Sequence, residues 1–313
     1  MKLIRKLDEF PDSLKGGALS IGNFDGVHHG HAMLVGELKK FAEQQNSSAV
    51  IFTFDPHPVR ILRPEHAPPP LTWTNRKADL LADLGIDAVV AYPTDAALLK
   101  LHYRDFFHKI IVDTIGAKAV VEGPNFFFGY QRQGTVTNLN QLCHDSEIQL
   151  KIAEPIRKSK DLISSSRIRE LLRHGNVDEA SAMLTQPYRI RGMVTHGSAR
   201  GATIGFPTAN MDAIDTLIPG MGVYAGRAFI DGRRHWAAIH IGPNPTFGEM
   251  VAKVEVHILD YGNSIYGQPL EVDFIQKVRD IHQFNTPQEL INQLEEDVKQ
   301  VRHIARQTRL RTI

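Results

Sequence analysis

The chain has 313 residues, 42% hydrophobic and 23% charged, which excludes a peptide, a collagen, a coiled coil or a disordered chain and suits two domains of roughly 100–200 residues. Lys plus Arg number 36 against 35 Asp plus Glu, a net charge of +1, so dedicated binding to nucleic-acid phosphates, which needs a basic excess, is not expected. No run approaches the ~18 apolar residues of a membrane helix, and the one cysteine, Cys143, excludes an internal disulfide or a multi-thiolate zinc site.

The amino terminus, Met1–Lys6, meets Asp8 and Glu9 before any apolar run and does not read as a signal peptide. From there to about residue 185, short β-rich runs alternate with amphipathic stretches. Gly17–Ile21, Ala49–Phe54, Ala88–Tyr92, Ala119–Glu122 and Gln149–Ile152 read as strands. His31–Gln45, Arg76–Leu84 and Tyr103–Ile115 carry apolar residues at helical spacing. That alternation predicts an α/β, doubly wound parallel sheet. After the first strand, Gly22, Gly26 and Gly30 precede a helix start, where unpaired N–H groups attract phosphate and missing side chains admit a ligand. His28 and His31 are three apart and can face one nucleotide together, although such pairs are more often surface caps or weak metal ligands.

The cluster Pro64–Pro70 cannot join a helix or sheet interior and reads as a surface loop or lid. Near the end of this half, Ser164, Ser165 and Ser166 with Arg167 and Arg169 enter another helix. They can hold the β- and γ-phosphates of a nucleoside triphosphate, or simply cap a solvated helix. Asn176–Leu184 reads as the last helix of this domain, capped by Asn176 with Glu179 at its third position.

After Pro187, strand-like runs alternate with glycine-rich turns: Tyr188–Val194, Gly222–Ile230, Arg234–Ile241, Val251–Leu259 and Leu270–Gln276. They predict an antiparallel barrel or sandwich. The loop carrying Gly197, Gly201 and Gly205 leads to Thr208 and Asn210, a set that suits a triphosphate and Mg²⁺, though glycine-rich stretches between strands are usually just turns. Glu255 alternates with Val254 and Val256, which puts it on the opposite strand face. Thr286–Glu289 with Pro287 opens a capped final helix whose face Leu290, Leu294, Val298 and Val301 is expected to close the barrel. The charges divide evenly, 22 basic and 22 acidic over 1–185, then 14 and 13 over 186–313, and neither half is a basic arm.

These segments resemble, in order along nearly the whole chain, the bacterial bifunctional riboflavin kinase/FAD synthetase (FMN adenylyltransferase) family, whose first half belongs to the His-x-Gly-His nucleotidylyltransferases. The residues that carry the resemblance are Gly22–His31, Phe54–Pro58, Gly123–Gly129 and Ser165–Arg169, then Gly205–Asn210, Ile241–Phe247, Val254–Tyr261 and Arg279–Phe284. It implies two domains, an adenylyltransferase over 1–185 and a riboflavin kinase barrel with a closing helix over 186–313. The reaction implied for the first is transfer of AMP from ATP to FMN, with Gly22, Asp25, His28, Gly30 and His31 at the nucleotide and His28 and His31 stabilising charge on the α-phosphate. Ser164, Ser165, Ser166 and Arg169 would hold pyrophosphate.

Asn125, Phe126 and Phe128 are the expected isoalloxazine contacts, because a flat flavin stacks on aromatic rings and its edge needs hydrogen-bond partners; at least one ring of Phe126–Phe128 is expected in the core. In the second half the resemblance gives Gly197, Gly201, Gly205, Thr208 and Asn210 to ATP, Thr208 and Asn210 also to Mg²⁺, and Glu255 to proton removal from the ribityl hydroxyl. Arg279 and Phe284 are expected to close over flavin, with a surface ion pair as the other reading of Arg279. The family often has Asp where Asn125 stands and Arg where Ala202 stands. Riboflavin, FMN and ATP are the expected partners, with no nucleic acid or membrane, in the cytoplasm. A chain active in one half only and an RNA-binding protein are the competing readings.

Overall fold

Apolar runs too short for helices, bounded by glycine and polar turns, build the sheet of the first half. The computed structural model describes residues 1–154, 157–158, 161–197, 200–244 and 249–310. Packing divides the chain into two units: Met1–Pro68 with Trp73–Ser164, and Pro69–Thr72 with Ser165–Ile313.

In chain order the first unit holds β1 (Lys2–Ile4), β2 (Ala18–Ile21), α1 (His29–Gln44), β3 (Ala49–Asp55), α2 (Pro58–Leu62), α3 (Thr74–Asp83) and β4 (Ala88–Pro93). There follow α4 (Ala96–Leu99), α5 (Tyr103–Phe106), β5 (Ala119–Glu122), α6 (Val136–Asp145), β6 (Gln149–Ile152) and the two-residue pair β7 (Arg157–Lys158) and β8 (Asp161–Leu162). Strands β1 to β6 form one sheet in the order β1-β4-β3-β2-β5-β6, every neighbouring pair parallel. The expected doubly wound sheet is therefore present. The chain leaves β2 toward β3 on one side, while β5 lies on the other, so the strand order switches between β2 and β5; ligands bind at such points, beyond the carboxyl ends of the strands. One apolar cluster lies on each face of this sheet, around Phe52 and Phe107 on one side and Leu38 and Ile51 on the other.

Several expectations need correction here. β1 and α6 have no counterpart among the expected elements: β1 is only three residues long, too short for a period, and is held by register with Ala88–Val90 of β4. The helix expected at Tyr103–Ile115 continues past α5 as π-helical turns over Phe107–Thr114, with Ile115 N–H donating to the Ile110 carbonyl five residues back. The Pro64–Pro70 cluster is not one free loop: Pro64–His66 is a single 3₁₀ turn, and Pro69–Thr72 packs with the second unit.

The second unit holds α7 (Ser165–Arg173), α8 (Val177–Ser181), β9 (Arg189–Thr195), α9 (Arg200–Thr203), β10 (Ala209–Asp212), β11 (Gly222–Ile230), β12 (Arg233–Asn244), β13 (Glu249–Ile258), β14 (Pro269–Arg279) and α10 (Pro287–Leu310). Strands β9 to β14 close a six-stranded barrel in the order β10-β13-β12-β11-β14-β9, all pairs antiparallel. Of the expected alternatives, barrel and sandwich, the barrel is correct. β10, four residues long with mixed polarity, gave no strand signal. Inside, Ile239, Ile241, Val254 and Val256 are buried.

The final helix opens as expected, with Glu289 N–H donating to the Thr286 hydroxyl at 3.2 Å. Its buried face begins later than the sequence suggests: Val301 and Ile304 cluster with Ala225 and Leu259 outside the barrel wall, while Leu290 and Leu294 are only half-buried. Asn176 makes no side-chain cap, and α8 is five residues long and packs against β14 of the barrel.

Candidate active sites

The loop after β2 is the first site. Phe24 and Val27 take positive φ values of 46° and 40°, conformations that bulky side chains rarely adopt and that mark a backbone held for a purpose. Both side chains are buried, which offsets the strain. The loop ends on His28, the N-cap of α1. His31 N–H donates to His28 Nδ1 at 3.2 Å, and His28 N–H donates to His31 Nδ1 at 3.4 Å. The two rings stack with centroids 3.6 Å apart. A Cβ on Gly30 would sit 3.0 Å from the His28 ring and 3.6 Å from the Ile163 carbonyl, so a side chain there would crowd the ring, and the chain just before Ser164 reaches the start of α1.

Burial lowers the His28 pKa to about 4, against the opposing pull of Asp25, and burial, with smaller contributions from His28 and Lys77, holds that of His31 well below a free imidazole. Both imidazoles are therefore neutral. Because each Nδ1 accepts from a backbone N–H, each proton sits on Nε2. The pair offers two N–H donors at a helix amino terminus, where unpaired backbone donors and the dipole already favour an anion. Asp25 is 7% exposed. Gly22 follows β2 and lies against the Phe24 ring.

Across the switch point, β5 ends in Glu122, which accepts from Ile21 N–H at 2.6 Å and whose pKa burial pushes well up. Asn125 follows it and is exposed. Phe126 and Phe128 stack with centroids 5.4 Å apart, but Phe128 is core, 5% exposed and packed against Phe106 and Tyr103. The exposed ring is Phe127, with the Arg132 guanidinium 4.4 Å from its centroid. The expected stacking platform is thus reduced to Phe126, with Phe128 behind it.

Ser165 and Ser166 open α7, and Arg169 Nε donates to the Pro69 carbonyl at 2.9 Å, all within the second unit. Cys143 is 1% exposed and its thiol is pushed up to about 12 by burial and Glu122, which makes it an inert buried residue.

The second site lies on the barrel wall. Asn210 of β10 is registered opposite Thr195 of β9 and Glu255 of β13, and Glu255 is opposite His240 of β12. Directly opposed residues share a face, and Val254 and Val256 take the inner one, so this row lies on the outer face as the alternation requires. A Cβ on Gly197 would fall 2.2 Å from Asn210 Nδ2 and one on Gly201 2.3 Å from the Phe206 carbonyl. Gly201 is a steric requirement of the loop because it meets backbone, while Gly197 leaves room for the Asn210 side chain, and a Cβ at 201 would also lie 3.5 Å from Thr208 Oγ1. Gly205 turns with φ of 89°. The sequence thus brings Gly197, Gly201, Thr208, Asn210 and Glu255 together.

Burial lowers the His240 pKa against the opposing pull of Glu255. Arg279 makes a two-pronged pair with Asp297 of α10 at 2.8 and 2.7 Å, with Asp297 2% exposed, and lies 5.8 Å from the centroid of Phe284. Arg279 does form an ion pair, with a buried rather than a surface partner. Pro245, Thr246 and Phe247 of the Ile241–Phe247 segment lie outside the described residues.

Sequence reasoning passed over Lys77, His240 and Asp297. A signal existed for two of them: Lys77 stands four before Leu81 on the apolar face of α3, and Asp297 four before Val301 on that of α10. Among the described residues no group of three His, Cys, Asp or Glu forms a metal site. Thr208 and Asn210 offer hard oxygen donors of the kind Mg²⁺ takes when phosphates complete its shell, so the residues fit that ion.

Comparison with known proteins gives one family model to each half: FAD synthetase over residues 10–167 and riboflavin kinase over residues 184–305. Proteins named bifunctional riboflavin kinase/FMN adenylyltransferase are similar along almost the whole chain. That of Listeria monocytogenes is 35% identical, covering 94% of each chain, that of Bacillus subtilis 32%, covering 89% of each, and that of Escherichia coli K12 31%, covering 95% of this chain and 96% of that one. A crystal structure described as a macrolide-efflux protein from Streptococcus pneumoniae superposes with a TM-score of 0.85 at 29% identity, covering 96% of this chain and 98% of that one. No helix among the described residues is long and apolar enough to cross a membrane.

Proposed function

The chain belongs to the bifunctional riboflavin kinase/FMN adenylyltransferase family, and from that premise we propose how its residues divide the work. It is an enzyme of flavin cofactor biosynthesis, phosphorylating riboflavin to FMN with ATP and adenylylating FMN to FAD with a second ATP. We assign adenylyl transfer to residues 1–185 and the kinase to 186–313.

The reciprocal cap of His28 and His31 carries the first assignment. The FMN phosphate attacks the α-phosphorus of ATP, the new P–O bond forms, and the bond to pyrophosphate breaks; no protein nucleophile is needed. The two Nε2–H groups meet the charge that grows on the α-phosphate, where rigid donors cost no reorganisation. Gly22, Asp25 and Gly30 shape the nucleotide end, and Ser164 takes a departing phosphate. Ser165, Ser166 and Arg169 keep the pyrophosphate role that the family resemblance gives them. Asn125 and Phe126 bind the isoalloxazine, with Phe128 fixing the Phe126 ring.

In the kinase, Gly197, Gly201 and Gly205 let the loop follow the ATP phosphates. Thr208 and Asn210 would hold Mg²⁺, which would supply neutralisation of phosphate charge. Glu255 takes the proton of the ribityl hydroxyl as that oxygen attacks the γ-phosphate. Arg279, fixed by Asp297, and Phe284 close the flavin side. The single cysteine supports the reducing, cytoplasmic setting that we propose. The test is direct: the pure chain is incubated with riboflavin, ATP and Mg²⁺ and the flavins are separated by chromatography. FMN followed by FAD is expected; FMN alone, or neither product, overturns the division of work.

A further inference from the structure

Lys77 stands in the first turn of α3 and is only 8% exposed, an unusual place for an ammonium. Its Nζ donates to the Thr53 hydroxyl at 3.3 Å, and among the described residues it has no ion pair. Asp55, one of its two acidic neighbours, is engaged elsewhere: it accepts from Thr74 at 2.6 Å and pairs with Arg5 at 3.4 Å. The Thr53 hydroxyl passes its own proton to the Asn23 carbonyl at 3.2 Å. A chain of donors thus ties α3, through β3, to the loop that ends in His28. Beside it, Asn23 Oδ1 is buried with no hydrogen-bond partner among the described residues.

An ammonium has three donors, and Thr53 uses one. The other two can donate to an anionic oxygen such as that of a phosphate. The charges agree with that reading. His28 and His31 are neutral, whereas Lys77 brings a positive charge close enough to hold down the basicity of His31, and is itself sustained by Asp25 and Asp55 against burial. A reaction that brings two phosphate groups together needs such a cation.

We propose that Lys77 is a further catalytic residue of the adenylyl-transfer site, its remaining N–H donors taking a phosphate oxygen of the reacting pair at the entrance of α1. This rests on the adenylyl-transfer reading of the first unit. The shared chemistry is a phosphate oxygen, from FMN or from the α-phosphate of ATP. Lys77 keeps its proton throughout, since the phosphate nucleophile is already ionised and the leaving pyrophosphate carries off the electron pair of the broken bond.

The test uses Lys77→Met and Lys77→Arg in the full chain, with FAD formation measured while FMN and ATP are varied separately, alongside FMN formation and thermal melting. For Lys77→Met, kcat/KM for FAD is expected to fall on the order of 100-fold, with FMN formation unchanged. Its melting temperature is expected to stay equal or rise, because a buried charge without an ionic partner has gone. Lys77→Arg is expected to recover part of the loss. A KM rise confined to FMN assigns the oxygen to the flavin phosphate, and one confined to ATP assigns it to the α-phosphate. FAD formation by Lys77→Met within three-fold of wild type, or a loss explained wholly by the unfolded fraction, overturns the proposal. Should Lys77→Met fail to fold, Thr53→Val is measured instead, and unchanged KM values for both substrates overturn it. A wild-type chain that makes no FAD overturns the adenylyl-transfer reading itself, whereas FAD formation by Lys77→Met within three-fold of an active wild type overturns only the role of Lys77.

Discussion

Asn210 and Glu255 stand directly opposite each other on neighbouring antiparallel strands, on the outer face of the barrel and beside a glycine whose missing side chain makes room for the asparagine. That juxtaposition puts a proton acceptor next to the residues that suit Mg²⁺ and ATP, 45 positions away in sequence. Glu255→Gln keeps shape and removes proton acceptance. Riboflavin phosphorylation is expected to fall by roughly 100- to 10,000-fold while riboflavin and ATP still bind, and FMN supplied directly should still become FAD. Normal riboflavin turnover in this variant, measured by flavin chromatography, excludes Glu255 as the base.

Replacing both His28 and His31 with alanine removes the two Nε2–H donors and the reciprocal cap. FAD formation is expected to drop by at least the 100- to 1000-fold typical of one lost charge-stabilising donor, with non-additive single effects. FMN formation should persist. A double variant that makes FAD at near wild-type rate would remove the histidines from the mechanism.

The same pair makes the first unit sensitive to acid. His28 titrates near 4 in the folded chain against 6.5 for a free imidazole, so between these values the unfolded chain binds more protons. Stability is then fully present above pH 6.5 and is lost as pH falls toward 4, by up to about 3 kcal/mol for this residue. Melting curves between pH 7.5 and 4 are expected to shift downward, and less steeply for His28→Gln. Equal slopes for the two chains would show that His28 is not buried in its neutral form.

Cutting the chain tests the barrel. Val177 and Ala180 of α8 are fully buried, α8 packs on β14, and Gly220 N–H donates to the Leu172 carbonyl. A fragment over 185–313 is expected to fold and to phosphorylate riboflavin, and one over 165–313 to melt higher, since burying a valine contributes about 1.5 kcal/mol or more. Identical melting temperatures would mean that α7 and α8 add nothing to the barrel, and a folded fragment inert toward riboflavin would count against the kinase assignment.

Much of this was legible in the sequence because the signals are local. Period-two spacing named β2 to β6, β9 and β11 to β14, helical spacing named α1 and α3, and the capping box at Thr286 marked where the last helix begins. The resemblance to a known family, carried by motifs in order along the chain, singled out His28, His31, Asn210 and Glu255 as candidates. Tertiary structure decided what depends on distant partners. β1 exists only because β4 offers its edge, and Phe128 rather than Phe127 went to the core because Phe106 and Tyr103 meet it there. Arg279 found Asp297 eighteen residues later in a buried pair. Lys77 shows in sequence only as a lysine spaced with the apolar face of α3; its hydrogen bond to Thr53 of β3 comes from the fold. Backbone periodicity is set by residues a few positions apart, whereas burial and charge pairing are set by whatever the folded chain brings within a few ångströms, and only the fold supplies that.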